Sequence, residues 1–173
     1  PCGVCDSCRE IRDGSVGPMD VIEIDAATNR GIEDVRGLIA TATAEPARDR
    51  YRIFILDEAH QVTDAAFNAL LKTLEEPPEH VKFIFATTEA NKIPITVLSR
   101  CQRYDFAGIS PDQIIATLSD ICAREGVDAG PDALRAVARR AAGSMRDAQS
   151  LLEQLLSSGG RVLTAELVHQ VLG

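Results

Sequence analysis

Tyr51-Arg-Ile-Phe-Ile-Leu-Asp-Glu-Ala-His60 is the stretch on which the rest of the chain is read. Ile53, Phe54, Ile55 and Leu56 run without a polar interruption, the pattern of a strand buried on both faces of a sheet. Asp57 and Glu58 follow at once. A buried strand is costly ground for charge, so the pair marks where the strand leaves the core. Ligands of open α/β sheets bind beyond the carboxyl ends of the strands. An Asp there suits a Mg²⁺ ion with its water shell, and the following Glu is placed to polarise an attacking water. The simpler alternative is that Asp57 or Glu58 only starts the next helix as an N-cap.

Outward from this stretch the chain alternates. Asp20-Val-Ile-Glu-Ile-Asp25 predicts a strand, and Ile32, Val35, Leu38, Ile39 and Ala42 predict a helix over 31–45. Thr63 predicts the N-cap of a helix over 64–76 whose apolar face is Ala66, Phe67, Leu70, Leu71 and Leu74, stopped by Pro77-Pro78. Val81 to Thr88 predicts a second central strand ending in two hydroxyls, Thr87 and Thr88. A hydroxyl there can touch a phosphate or simply cap a turn. Pro94 to Arg100 predicts a short helix, and Tyr104-Asp-Phe106 one more strand. Strand and helix in alternation imply a parallel sheet with helices on it, an α/β class. After Gly108 the texture changes to helical periods over 111–125, 131–142, 144–157 and 164–172, a separate small all-α domain.

Two ends carry further chemistry. Cys2-x₂-Cys5-x₂-Cys8 has thiolate metal-ligand spacing but three ligands where a structural zinc takes four. The residues after Cys8 include no further Cys at iron–sulfur spacing, which favours zinc with a fourth ligand upstream. Breaker-rich Gly14–Pro18 links this end to the first strand. In Gly143-Ser-Met-Arg146-Asp147-Ala148, Gly143 closes one helix and Ser144 with Asp147 caps the next. Arg146 in a first helical turn opposes the macrodipole by roughly 0.3–1 kcal/mol. An anion at that helix end accounts for it, and partial neutralisation by Asp147 is the alternative.

With 173 residues, 45% of them apolar, the chain can bury one or two small cores. A net charge of −8 argues against a broad basic face for DNA. No apolar run approaches membrane length, no signal peptide is evident, and closely spaced cysteines without one point away from disulfides. The opening on Pro-Cys-Gly rather than Met suggests a piece of a longer protein.

Together these motifs resemble the AAA+ ATPase module of the bacterial clamp-loader gamma/tau family. The resemblance rests on the three-Cys end, Leu56-Asp-Glu-Ala-His60 and Phe67-Asn-Ala-Leu-Leu-Lys-Thr-Leu-Glu-Glu-Pro-Pro78. It continues through Phe85-Ala-Thr-Thr88, Leu98-Ser-Arg-Cys101 and Gly143-Ser-Met-Arg-Asp-Ala148. It implies a remnant zinc module over 1–18, a truncated RecA-like AAA+ parallel-sheet domain over 19–108 and a helical lid over 109–173. It implies that Asp57 binds Mg²⁺ through water, Glu58 activates the hydrolytic water and Thr87 or Thr88 senses the γ-phosphate of ATP. Arg146 would reach the nucleotide of its own subunit, Arg100 would act in trans on a neighbour's, and Cys2, Cys5 and Cys8 would hold zinc. Implied partners are delta, delta-prime and further gamma/tau copies, the sliding clamp and primed DNA, in the cytoplasm and away from membranes.

One departure stands out. No Gly-x₄-Gly-Lys-Ser/Thr occurs, and none of the three lysines, Lys72, Lys82 and Lys92, follows a glycine. This chain alone is therefore expected neither to bind ATP tightly nor to hydrolyse it. Two other readings stay open: a non-hydrolysing, arginine-donating scaffold similar to delta-prime, and a DEAH-type helicase. The helicase reading needs a Ser-Ala-Thr motif where Ala86-Thr87-Thr88 stands, and a second RecA-like domain with Gln-x-x-Gly-x-x-Arg.

Overall fold

The computed structural model describes residues 2–13, 19–157 and 162–172, so the Gly14–Pro18 connection lies outside the described residues. The chain divides into two compact units, Pro1–Arg103 and Tyr104–Gly173.

The first unit begins with helix α1 (Asp6–Asp13) and continues with strand β1 (Val21–Asp25), helix α2 (Ile32–Ala42) and strand β2 (Arg52–Asp57). Helix α3 (Asp64–Glu75), strand β3 (Val81–Phe85) and the single turn α4 (Ile95–Leu98) complete it. The three strands are parallel in the order β1-β2-β3, with Ile22 opposite Phe54 and Phe54 opposite Phe83. In a parallel ladder registered residues share a face, so Ile22, Ile24, Phe54, Leu56, Phe83 and Phe85 line one side. That side packs against the Val35–Leu38–Ala42 stripe of α2 and the Ala66–Phe67–Leu70 stripe of α3. Phe54 and Phe83 stack with centroids 5.4 Å apart. Burying a Phe of this kind contributes about 2–3 kcal/mol.

The other face departs from expectation. Ile53 and Ile55 are only half-buried and Ile84 is 49% exposed, so β2 is buried on one face rather than two. Nor is β3 a central strand: among the described residues it forms an edge of the sheet. An apolar run reports that both faces can be covered; what covers them is set by packing. Thr63 caps α3 as expected, its hydroxyl accepting from Ala66 N–H at 3.3 Å. The N-cap alternative holds in position only: Glu58 precedes a 3-10 turn, Ala59–Gln61, and its side chain makes no capping hydrogen bond there.

Fully buried Asp20, just before β1, ties the 47–49 loop to the sheet. Its Oδ1 accepts from Ala47 N–H at 2.7 Å, and its Oδ2 accepts from Arg48 and Asp49 N–H, each at 2.8 Å. The Arg52 guanidinium lies 3.6 Å away. Burial by itself pushes the Asp20 carboxyl up, yet the three amides and Arg52 outweigh it and hold the group below the usual carboxylate range.

The second unit holds α5 (Pro111–Glu125), strand β4 (Asp128–Ala129), α6 (Pro131–Arg140), α7 (Met145–Ser157), strand β5 (Val162–Leu163) and α8 (Ala165–Leu172). Its core is Ile114, Leu118, Val137, Leu152, Leu155 and Val168. Two corrections follow. The unit is not wholly helical, because β4 and β5 pair in parallel, two residues each. The expected strand at Tyr104–Phe106 is absent; these residues form an irregular segment with Phe106 95% exposed. A three-residue strand has no stability of its own and exists only where it meets a ladder. Gly143 adopts φ +90° and its carbonyl accepts from Ile109 N–H at 2.9 Å, drawing the segment before α5 against the start of α7.

Candidate functional site

The carboxyl ends of β2 and β3 assemble a small polar cluster. Ala86 N–H donates to Leu56 O and Ala59 N–H donates back to Ala86 O, both at 2.9 Å. These two bonds carry the ladder past the strand ends and set the residues after β2 beside those after β3. Asp57 is exposed, and its Oδ1 accepts from Glu58 N–H at 2.9 Å. Asp25 stands opposite it in the ladder, so β1 brings a third carboxylate to the same edge. Asp25 was read only as a strand end; the parallel register is what promotes it to the site.

Glu58 has φ 48° and ψ 43°, the left-handed region, which costs a side-chain-bearing residue about 1–2 kcal/mol. The turn it makes sends Ala59 into the core and brings the carboxylate beside His60. Glu58 Oε2 is buried without a hydrogen-bond partner, 3.3 Å from His60 Nδ1. His60, whose side chain is 7% exposed, has its Nδ1 3.0 Å from Thr87 Oγ1. Thr87 Oγ1 also accepts from Glu89 N–H at 3.0 Å. Thr88 is exposed and outside this network. Of the two hydroxyls left open by the sequence, Thr87 is the one joined to Glu58 through His60. His60 was quoted in the acidic stretch but given no role; its place as the fourth letter after the apolar run was the available signal.

The two arginines belong to other elements. Arg100, in the turn after α4, donates through Nη1 to Thr96 O at 2.6 Å and pairs through Nη2 with Glu75 at 2.5 Å. It is 34% exposed and makes no hydrogen bond or ion pair with Asp57, Glu58 or Thr87. Arg146 is the second residue of α7, in the other unit. It is exposed, and among the described residues it makes no hydrogen bond or ion pair, with Asp147 or with any other group. The Ser144 hydroxyl accepts from Asp147 N–H at 3.2 Å, as the capping pattern predicts.

The three N-terminal cysteines come together. Their Sγ atoms lie within 4.8 Å of one another, with Cys2 and Cys8 4.0 Å apart. Zinc–sulfur bonds of about 2.3 Å in a tetrahedron put sulfurs roughly 3.8 Å apart, so three corners of such a site fit. Backbone N–H groups of Val4 and Cys5 pull the Cys2 thiol down to about 6, while side-chain contacts with Cys2 and Cys8 outweigh the Cys8 amide and leave Cys5 raised. Helix α1 is moored to the sheet unit through a Ser7–Asp49 hydrogen bond and a bidentate Arg48–Glu10 pair at 3.0 and 2.7 Å.

Residues 1–110 match the family model described as DNA polymerase III, delta subunit, and residues 113–161 match that of the DNA polymerase III clamp loader subunit, ATPase lid domain. The chain belongs to the DNA polymerase III clamp-loader family. It is 46% identical over 173 residues to the DNA polymerase III subunit tau of Escherichia coli strain K12, covering 100% of this chain and 27% of that protein. The tau subunit of Bacillus subtilis is 46% identical over 166 residues, 96% of this chain and 29% of its own length. Gamma/tau of Mycobacterium tuberculosis strain H37Rv is 48% identical over 157 residues, 91% and 27%. The chain thus spans only about a quarter of the length of these relatives. Among solved structures, the RuvB Holliday junction branch migration motor of Thermotoga maritima superposes with a TM-score of 0.70 at 14% identity, over 88% of this chain and 52% of that one. A gamma subunit-related protein of DNA polymerase III from the same organism gives 0.54 at 24% identity, over 96% and 60%. These likenesses establish an α/β fold shared with those structures.

Proposed function

We propose that this chain is part of an ATP-driven clamp-loader subunit that acts in the cytoplasm. It would serve with delta, delta-prime and further gamma/tau copies to place a sliding clamp on primed DNA. The observation that carries the reading is the meeting of Asp57, Glu58 and Thr87 at one end of the sheet, with a buried Glu58 oxygen that has His60 3.3 Å away but no hydrogen-bond partner. An orphaned buried carboxylate oxygen is costly unless a ligand or water uses it.

The residues present fit Mg²⁺ and the reacting end of ATP, not its full cradle. Asp57, exposed, with one oxygen committed to Glu58 N–H, suits the hydration shell of a divalent ion. Glu58 accepts the proton of a water it orients, and the Thr87 hydroxyl donates to a γ-phosphate oxygen. Bound Mg·ATP supplies the transferable phosphoryl group, whose developing charge positioned cations stabilise. Arg146 adds a cation for its own subunit's nucleotide. Arg100 serves a neighbour's, once released from Glu75 across an interface. Cys2, Cys5 and Cys8 supply three ligands for a structural zinc. No Gly-x₄-Gly-Lys-Ser/Thr occurs in the 173 residues, so the phosphate loop has to be supplied by sequence outside them.

The match of residues 1–110 to the delta-subunit model favours one second reading, an arginine-donating scaffold that does not hydrolyse ATP. Glu58→Gln separates the two. In the full gene product assembled with its clamp-loader partners, Glu58→Gln should leave ATP binding intact and remove at least 99% of DNA-stimulated turnover, on the order of the hundredfold effect of a general base. Turnover unchanged by Glu58→Gln but abolished by Arg100→Ala would establish the scaffold instead.

A further inference from the structure

His60 is buried beside the acid pair and touches both Glu58 and Thr87, yet neither metal binding nor water activation uses it. Its contacts assign its proton. Gln61 Nε2 lies 3.1 Å from His60 Nε2. An amide nitrogen offers only protons, and at 3.1 Å it is nearer than the Glu89 carboxylate oxygen at 3.6 Å, so the ring nitrogen facing it presents a lone pair. In the neutral ring the proton then sits on Nδ1, pointing at Thr87 Oγ1, 3.0 Å away. Thr87 Oγ1 already accepts from Glu89 N–H. With His60 Nδ1–H as the second donor, both lone pairs of the hydroxyl are used. Its own proton is left for an acceptor outside the network.

From this we infer that His60 is a positioning residue that makes Thr87 an obligatory donor and holds Glu58 beside it. The inference rests on the reading of Glu58 and Thr87 given above. A threonine hydroxyl with a free lone pair could accept from a water as readily as it donates to a phosphate oxygen. Saturating it from two sides removes that ambiguity, so the hydroxyl answers to a ligand's oxygen only. The Glu58 oxygen, 3.3 Å from the same Nδ1, lies close enough for the two groups to be positioned together.

Two measurements test this. On the 173-residue chain, nitrogen NMR of the His60 ring at a pH where it is neutral should show a protonated Nδ1 and an unprotonated Nε2; the reverse pattern overturns the inference. In the assembled full gene product, His60→Asn keeps a donor near the Nδ1 position, whereas His60→Gln moves it towards Nε2 and His60→Ala removes it. The expected result is near-normal kcat for His60→Asn, and losses of about ten- to a hundredfold in kcat with little change in KM for the other two. Equal losses in all three variants would indicate a structural role only, and no loss in any of them would leave His60 without a role; either overturns the inference. Glu58→Gln run alongside keeps the two proposals apart. If Glu58→Gln retains turnover, the functional reading falls. If it is inactive while His60→Gln turns over normally, only the role of His60 falls.

Discussion

Replacing Asp20 with asparagine should cost about 3–5 kcal/mol, and the structure says why. The carboxylate is fully buried and satisfies three backbone N–H groups through two oxygens. Asparagine has one oxygen. If that oxygen faces Arg48 and Asp49, the new NH₂ group confronts the Ala47 N–H and the Arg52 guanidinium, donor against donor. One buried N–H left without a partner costs about 1–3 kcal/mol. Two charge-assisted bonds that become neutral lose about 1 kcal/mol each. Set against a domain stability of about 5–15 kcal/mol, the loss is a large share. The assay is urea unfolding followed by circular dichroism, with amide exchange read on β1 and β2 so that the two units are told apart. The pH dependence gives a second reading. Because the folded carboxyl is held below its ordinary value, its stabilisation is present above the unfolded value near pH ~4 and is lost as pH falls through the folded one. The gap between parent and variant should therefore shrink in acid. An Asp20→Asn chain within about 0.5 kcal/mol of the parent, or a gap that stays constant down to pH ~2, would refute the reasoning.

Four further outcomes are expected. With the Cys2 thiol drawn down to about 6, its alkylation rate should be half-maximal near pH 6 and close to its ceiling at neutral pH, while the buried Cys122, whose thiol burial pushes up, reacts slowly; peptide mapping after timed iodoacetamide treatment reads both. Gly143→Ala places a Cβ 3.2 Å from Gly108 Cα at φ +90° and should destabilise the second unit by about 1–3 kcal/mol. Gly37→Ala, in α2 with nothing within 4 Å of the new Cβ, should instead stabilise the first unit by about 0.5–1 kcal/mol, both read in thermal melts. Thr63→Ala removes the cap on α3 and should cost about 1 kcal/mol in the same melts.

Interactions between residues close in sequence were legible without coordinates. Thr63 reaches Ala66 and Ser144 reaches Asp147, contacts that the chemistry of three or four consecutive residues settles. The α2 and α3 stripes were legible because a helix repeats every 3.6 residues whatever it packs on. The cysteine spacing likewise brings its three sulfurs together within one turn of chain. Longer-range facts were not. Two-residue β4 and β5 carry no periodicity and exist because distant segments meet. Tyr104–Phe106 has the alternation of a strand and lacks the ladder that would make it one.

The amino-acid order alone determined which residues carry the chemistry: an acid pair at a strand end, hydroxyls at the next, arginines near helix termini and clustered thiols. Tertiary structure decided which of them meet. Thr87 rather than Thr88 is linked to Glu58 through His60, because parallel pairing of β2 with β3 brings His60 to one hydroxyl and leaves the other exposed. One face of β2 is covered and the other half-open because α2 and α3 pack on the Phe54–Leu56 side. Side-chain type is written residue by residue, whereas burial and proximity arise only when separate segments exclude water from one another.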